Sequence, residues 1–368
     1  MSCNGLIALI EVDVNSTLTD TIGLITMNSA NDDTDVLNLF KNVKTCNPTE
    51  AVKICAPMVR YSKLAFRTLV RKYGCDLAFT PMIVSDSFVK SIKARDSEFT
   101  TNKGDRPLIA QFAASNATVL ADAAEIIAPY TDGVDLNCGC PQKWAMAEGY
   151  GAHLIKHPEL IKDMVMQTRG RVCKPGFTTS IKIRIHDDLR ETVDMCQKVE
   201  KAGVSWVAVH GRTAKMRNEP PDFDAIKLIK DSVQIPVIAN GDIRNMEDVK
   251  RVKEQTGVDG VMAARGILQN PAMYAGYENT PIECVQDWVD IALATGTTFT
   301  CFHHHLISML ERVTSKAEKR VFNVLTSTTA VLDYLEENYG IGVESHRTNG
   351  NCEGISQSEM TNNKDLCR

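Results

Sequence analysis

Short apolar or β-branched runs alternate along most of the chain with amphipathic segments of ten to fifteen residues. The runs are Val52–Ala56, Asp76–Thr80, Leu108–Phe112, Gly133–Asn137, Ser180–Ile185, Trp206–His210, Pro236–Ala239 and Gly260–Ala263. Between them, apolar residues at helical spacing predict helices over Tyr61–Tyr73, Asn116–Ala128, Glu159–Arg169, Leu189–Ala202, Phe223–Lys230 and Met246–Gln255. Eight strands in a strand–helix rhythm predict an α/β fold, a closed (β/α)8 TIM barrel rather than an open doubly wound sheet. No GxGxxG follows the first strand, which also speaks against a dinucleotide-binding sheet. After Tyr277 the rhythm changes. Glu283–Ala294, His304–Val313 and Lys316–Glu337 read as helices with no strand between them. The expected organisation is therefore a barrel over 34–277 and a small helical domain over 278–342, a pattern equally compatible with extra helices covering the barrel. A poorly ordered leader over 1–33 and a disordered tail over 343–368 flank them.

The composition narrows the class. The 368 residues are 43% hydrophobic and 24% charged, with 41 Lys+Arg against 46 Asp+Glu, which excludes collagen-like, coiled-coil and largely disordered chains. The acidic excess sits at the ends: residues 1–50 carry a net −5 and 343–368 a net −1, leaving the middle at +1. A polyanionic partner is thus compatible with the barrel and the helices. The 12 cysteines are scattered without paired zinc-ligand spacing, so a reducing compartment is expected. The apolar run Leu6–Ile10 is too short for a signal peptide, and the first basic residue is Lys41, unlike a mitochondrial presequence. No stretch reaches the ~20 apolar residues of a membrane span. We expect a cytoplasmic protein, also compatible with the nucleus, that is a monomer without membrane contact or bound metal. The His303-His304-His305 tract does not alter this, because consecutive helical residues face different ways.

Barrels of this type build their sites at the carboxyl ends of the strands. There the chain presents Ala56-Pro57-Met58, Gln111, Asp135-Leu136-Asn137-Cys138-Gly139-Cys140-Pro141, Lys182-Ile183-Arg184, His210-Gly211-Arg212-Thr213, Asn240-Gly241-Asp242-Ile243 and Ala264-Arg265-Gly266. The last two lie after strands seven and eight, where barrels commonly hold a phosphate; Gly241 and Gly266 admit close backbone approach and Arg265 adds a forked cation. Lys182 and Arg184 alternate with isoleucines, so both cations point into the mouth, which favours an anion or a flavin between them. His210, at a strand end beside Arg212, reads as a ligand for a polar cofactor edge. Cys140, in a Gly-Cys-Pro turn, reads equally as a nucleophile, a general acid or a small buried residue; Cys138 should point the other way.

In this order and spacing these motifs resemble the tRNA dihydrouridine synthases over roughly residues 52–340, and most the eukaryotic 20a/20b subfamily. The stretches 60–67 (Arg-Tyr-Ser-Lys-Leu-Ala-Phe-Arg) and 184–189 (Arg-Ile-His-Asp-Asp-Leu) carry the closer likeness. The resemblance implies FMN as cofactor, NAD(P)H as reductant and a D-loop uridine of tRNA as substrate, reduced to 5,6-dihydrouridine. It implies that Pro57, Met58 and Val59 lie along the flavin, that Gln111 bonds its ring, that Lys182 sits by its N1/O2 edge and that His210 contacts it. Asn240, Gly241, Asp242, Ala264 and Arg265 are implied to hold its phosphate, Asn137 and Arg184 to orient the uracil, and Cys140 to donate the proton. The target base must leave its stack to be reached.

One segment departs from the family pattern: after Thr213 the chain reads 218–224 Asn-Glu-Pro-Pro-Asp-Phe-Asp, which puts substrate contacts from that loop in question. Nine Lys/Arg against four Asp/Glu in 60–103, with Lys316, Lys319 and Arg320, could supply a basic edge for RNA phosphates. Two other functions are compatible with the residues: a flavin-dependent barrel reductase of a small molecule, and a non-catalytic tRNA-binding protein.

Overall fold

The computed structural model describes residues 35–342, so the expected leader and tail lie outside the described residues. Its strands are β1 (Val52–Cys55), β2 (Leu77–Phe79), β3 (Ile83–Val84), β4 (Leu108–Ala113), β5 (Gly133–Cys138), β6 (Thr178–Arg184), β7 (Val207–His210), β8 (Val237–Asn240) and β9 (Gly260–Ala263). All pair in parallel, and β2 closes onto β4 while β1 closes onto β9, so the sheet is a barrel. Eight staves result because β2 and β3 share one place in the ring: both pair with β4, at Leu108–Ile109 and at Phe112–Ala113. Pro81, which has no N–H, interrupts that stave. The Thr80 hydroxyl stands in for the ladder there, accepting from the Gln111 N–H at 3.0 Å.

The six helices expected between strands are found at α2 (Leu64–Lys72), α5 (Ala117–Ile127), α7 (Pro158–Arg171), α8 (Leu189–Lys201), α9 (Phe223–Ser232) and α10 (Met246–Thr256); three short ones that the pattern reading omitted, α3 (Ser85–Lys90), α4 (Ile92–Glu98) and α6 (Lys143–Ala147), lie in the β3–β4 and β5–β6 connections. Side-chain caps set several of their starts: Asn116, Asp188, Asp222 and Asn245 each accept a backbone N–H of the first turn. A helix that the pattern reading omitted, α1 (Val36–Cys46), covers the amino end of the barrel. Its Phe40 ring lies 5.6 Å from that of Trp206, at the start of β7, and Val36 is fully buried.

Beyond the barrel come α12 (Ile282–Ala294), α13 (Phe299–Leu310), α14 (Lys316–Phe322) and α15 (Thr328–Tyr339). The single helix expected over Lys316–Glu337 is thus two. Ser327 accepts from the Ala330 N–H and starts a new helix, just as Ser315 starts the previous one through a capping box with Glu318. The expected His304–Val313 helix begins five residues earlier, at Phe299, after the Gly296 turn.

These helices are fastened to the barrel by specific contacts. His305 stacks on Phe66 of α2 (4.5 Å between centroids) and packs on Trp288 of α12, while its Nε2 lies 3.2 Å from the Tyr61 carbonyl. Asp287 receives Lys72 Nζ at 2.6 Å and the Tyr73 hydroxyl at 2.7 Å. His303 turns to the Phe322 carbonyl at 2.9 Å, so the two histidines serve different packing sites. No helix among the described residues is long and apolar enough to cross a membrane.

Candidate active site

Parallel register brings the polar strand ends into layers. Gln111 stands opposite Asp135 and Asp135 opposite Ser180; Asn137 stands opposite Lys182; Arg184 stands opposite His210 and His210 opposite Asn240. Paired residues of a parallel sheet point to one face, and here the apolar alternates Leu136, Cys138, Ile181 and Ile183 are buried toward the helices. The polar set therefore lines the barrel interior at its carboxyl end, as the alternation in 181–185 predicts.

Within it a row of side chains runs to Cys140. Ser180 Oγ donates to Asp135 Oδ1 at 2.7 Å, and Gln111 Nε2 donates to Asp135 Oδ2 at 2.8 Å. Asn137 Nδ2 donates to Gln111 Oε1 at 2.8 Å, and Asn137 Oδ1 accepts the N–H groups of Gly139 and Cys140 at 3.1 and 2.9 Å. Burial pushes the Asp135 carboxyl up to about 6, against the Gln111 and Ser180 hydrogen bonds and the Lys182 charge that favour the carboxylate. The turn is held from outside as well. The Ala152 N–H donates to the Cys140 carbonyl, and a Cβ at Gly151 (φ +62°) would stand 2.5 Å from that carbonyl oxygen, so only glycine fits.

The two thiols of the turn differ in surroundings. Cys138 is fully buried, and that burial first, with the nearby Asp135 charge, holds its thiol well above the usual range. Cys140 is half-buried against the Met82, Ala113, Ala145 and Tyr150 cluster, on which Val84 also packs.

The opposite side of the mouth is cationic. Lys182 Nζ donates to Asn240 Oδ1 at 2.9 Å, and the Asn240 amide donates to the Met262 carbonyl. Burial lowers Lys182 to about 8, with Arg184 adding to the effect and Asp135 and Cys140 opposing it. Arg184 donates to the carbonyls of Thr213 and Met216 at 2.7 and 3.1 Å. The buried Arg212 reaches the Glu219 carbonyl and donates to Asp242 Oδ2 at 2.5 Å, while Arg265 donates to Asp242 Oδ1 at 2.8 Å. Burial works against the Asp242 carboxylate, but the bond and charge of Arg212 and the charges of Arg265 and Arg244 hold it below the usual range. His210, 3.2 Å from Arg212, is neutral: burial first, then Lys182, Arg184, Arg212 and Arg265, lower it to about 2.

Of the strand-end residues singled out in the sequence, Gln111, Asp135, Asn137, Lys182, Arg184, His210 and Asn240 thus meet in the barrel interior at this mouth, whereas Leu136, Cys138 and Ile183 turn to the helices. Arg265 and Gly266 open a short helix, α11 (Arg265–Gln269), rather than a bare turn, and Gly266 is obligatory because a Cβ there would meet the Ile243 carbonyl oxygen at 2.1 Å. Met58 is buried and Val59 half-exposed at the end of β1. The departing loop also has a structural role, since Glu219 and Asp222 cap Arg212 and α9. Asp135, Ser180 and Arg212 carry bonds that sequence reading left unassigned. Asp135 was visible inside its motif, but its partners come from strands 24 and 45 residues away.

Two neutral histidines, the half-buried His210 and the buried His305, give the folded protein most of an acid limb. His210 is lowered to about 2 and His305, mainly by burial, to about 3. Each takes up a proton only on unfolding, so between pH 6.5 and these values the unfolded chain binds more protons and stability falls as pH falls. The slope is up to about 1.4 kcal/mol per pH unit for each histidine. Asp135, raised by burial, keeps its proton in the folded state between its unfolded value and about 6 and acts in the opposite direction. Urea midpoints should therefore drop from pH 6.5 to 4.5, and His305→Phe should shallow that drop; an unchanged slope in the variant would contradict this account.

Fold and site define a (β/α)8 barrel whose mouth joins a cluster of cations around Asn240 and Asp242 to a half-buried thiol at the end of a buried polar row. Residues 54–339 match the family described as dihydrouridine synthase, and the chain belongs to that family. It is 66% identical over 292 residues to the human tRNA-dihydrouridine(20a/20b) synthase-like protein, covering 79% of this chain and 92% of the relative. The tRNA-dihydrouridine(20a/20b) synthase of Schizosaccharomyces pombe is 40% identical over 306 residues, covering 83% of this chain and 92% of the relative. Among solved structures, histamine dehydrogenase from Rhizobium sp. 4-9 matches with a TM-score of 0.48 at 11% identity, covering 65% of this chain and 49% of that one.

Proposed function

We propose that this protein reduces a uridine of tRNA to 5,6-dihydrouridine, at positions 20a/20b of the D-loop, using FMN at the barrel mouth and NAD(P)H as the source of electrons. The observation that carries the reading is the Cys140 turn, half-buried and held on the same mouth as the cation cradle, in a chain of this family. The donor set fits an anionic cofactor. Lys182, Arg184, Arg212 and Arg265 all act on His210, against two nearby carboxylates, Asp135 and Asp242, so negative charge is favoured there.

Arg265 and the Asn240–Asp242 and Ala264 backbone would hold the phosphate, with Arg212 keeping Asp242 in place. Lys182 and His210 would meet the polar edge of the ring, Gln111 would bond it, and Pro57, Met58 and Val59 would lie along it. When bound and reduced, the flavin supplies hydride for C6 of the uracil. Lys182 is a partly buried cation held by Asn240, suited to balance negative charge at the cofactor edge. Arg184 and the remaining Asn137 N–H would orient the uracil. The Cys140 thiol gives its proton to C5, completing the addition across the C5–C6 bond. The target base must be extruded from its stack to come within reach of Cys140.

The function is tested by mapping dihydrouridine by primer extension in tRNA from cells lacking the protein, where the 20a/20b signals should disappear; their persistence overturns the proposal. For the cofactor, Arg265→Ala should weaken FMN about tenfold or more, the weight of one charge-assisted phosphate contact at ~1.5–3 kcal/mol. Fluorescence titration of the folded apoprotein measures it, and unaltered affinity removes Arg265 from the cradle.

A further inference from the structure

The orientation of each amide around Cys140 is dictated by its neighbour. Gly139 and Cys140 present backbone N–H groups to the Asn137 side chain, so the atom facing them must be Oδ1. Nδ2 then faces Gln111, and the Gln111 atom that receives it must be Oε1. Gln111 Nε2 is thereby aimed at position 135, where an acceptor is required and Asp135 Oδ2 provides it. The other Asp135 oxygen takes the Ser180 hydroxyl proton. Gln111, Asp135, Asn137 and Ser180 are all buried, so a reversed amide would set oxygen against oxygen at the cost of buried hydrogen bonds.

We propose that Asp135 is a positioning residue, acting through Gln111 and Asn137 to fix the turn that carries Cys140. The site of proton donation is thus set from inside the barrel by a carboxylate that does not touch the thiol. The catalytic consequence rests on Cys140 being the proton donor; the row itself does not.

Reversing the row tests it. Asn137→Asp places acceptors on both sides of Gln111, so whichever way its amide turns, its oxygen faces a carboxylate. Adding Asp135→Asn restores a consistent row of opposite direction: the new carboxylate accepts from Gln111 Nε2 and from the turn, while the new amide donates to Gln111 Oε1 and accepts from Ser180. The readout is the rate of Cys140 alkylation by iodoacetamide in the full-length protein, resolved by peptide mass spectrometry, with the exposed Cys46 and Cys173 as internal references.

Asn137→Asp should speed Cys140 alkylation roughly tenfold, as expected for the loss of one buried hydrogen bond, and the double variant should return to within about twofold of the natural protein. With Gln111→Leu in both, the rescue by Asp135→Asn should vanish, whereas direct repulsion between carboxylates at 135 and 137 would leave it in place. Failure of the rescue, or a rescue that survives Gln111→Leu, overturns the proposal. If Asn137→Asp alone does not fold, soluble yield takes the place of alkylation: a folded double variant supports the row and an unfolded one overturns it. Should Cys140→Ala leave turnover intact, the proton-donor reading fails while the alkylation pattern still decides the role of Asp135.

Discussion

Reoxidation of the reduced flavin by unmodified tRNA should slow roughly 10²–10⁴-fold in Cys140→Ala, the usual weight of a positioned acid, while flavin content and reduction by NAD(P)H stay near those of the natural protein. The separation follows from where the thiol stands. Cys140 is half-buried at the mouth and takes no part in the bonds that order Lys182, Asn240, Asp242 or Arg265, so removing it leaves those bonds in place. Cys138→Ala has the opposite profile. That side chain is fully buried among the packing residues behind β5, so its loss should lower stability and leave reoxidation nearly unchanged. Single-turnover reoxidation monitored by flavin absorbance distinguishes them. Equal harmlessness of the two variants, or damage from Cys138→Ala alone, excludes Cys140 as the acid.

Asp105→Ala should cost about 3–5 kcal/mol of folding stability, the penalty for leaving a buried cation without its partner. The Asp105 side chain is completely buried and receives Arg67 Nη2 at 2.6 Å and Arg67 Nε at 3.0 Å. Arg67 is itself 1% exposed and donates two further N–H groups to the Ser62 and Thr100 carbonyls. No rearrangement within that cluster offers a replacement anion, and the Arg71 guanidinium, 3.4 Å from the same carboxylate, would be left beside Arg67. Urea denaturation at pH 7 measures the loss, and a value below about 1 kcal/mol would mean that water enters the cluster and the burial argument fails.

The barrel is legible in the sequence because every stave but one is a continuous apolar or alternating run and the six long intervening helices each bury an apolar set; the short helices α3, α4 and α6 bury too little to leave a periodic signal. What escapes is local or long-range. The Lys316–Glu337 periodicity runs through a break because Asn323–Ser327 does not disturb the apolar spacing; only the capping role of Ser327 marks the new start. Helix α1 has its signal, Asp35 as cap and Val36 and Phe40 one turn apart, but it lies beside a polar segment that masks it. At the site, strand-end position identifies the residues without their bonds. That Gln111 lies between Asp135 and Asn137 depends on the register of β4 against β5, and that Arg212 clamps Asp242 depends on how two loops close, neither of which a single sequence encodes at short range.

The stacking of His305 between Phe66 and Trp288, and the capture of Asp287 by Lys72 and Tyr73, have a consequence for how a large substrate is selected. With their contacts made in both aromatic and polar registers, α12 and α13 are fastened to α2 and its flanks, so a swing of these helices toward the mouth would have to break both sets. Were an RNA to rest on those helices, the span from them to Cys140 would act as a ruler: only a nucleotide at the matching distance along its backbone would enter, and bending would come from the RNA. The ordering entropy of such a pairing falls on the nucleic acid, because the protein has already met its share in folding.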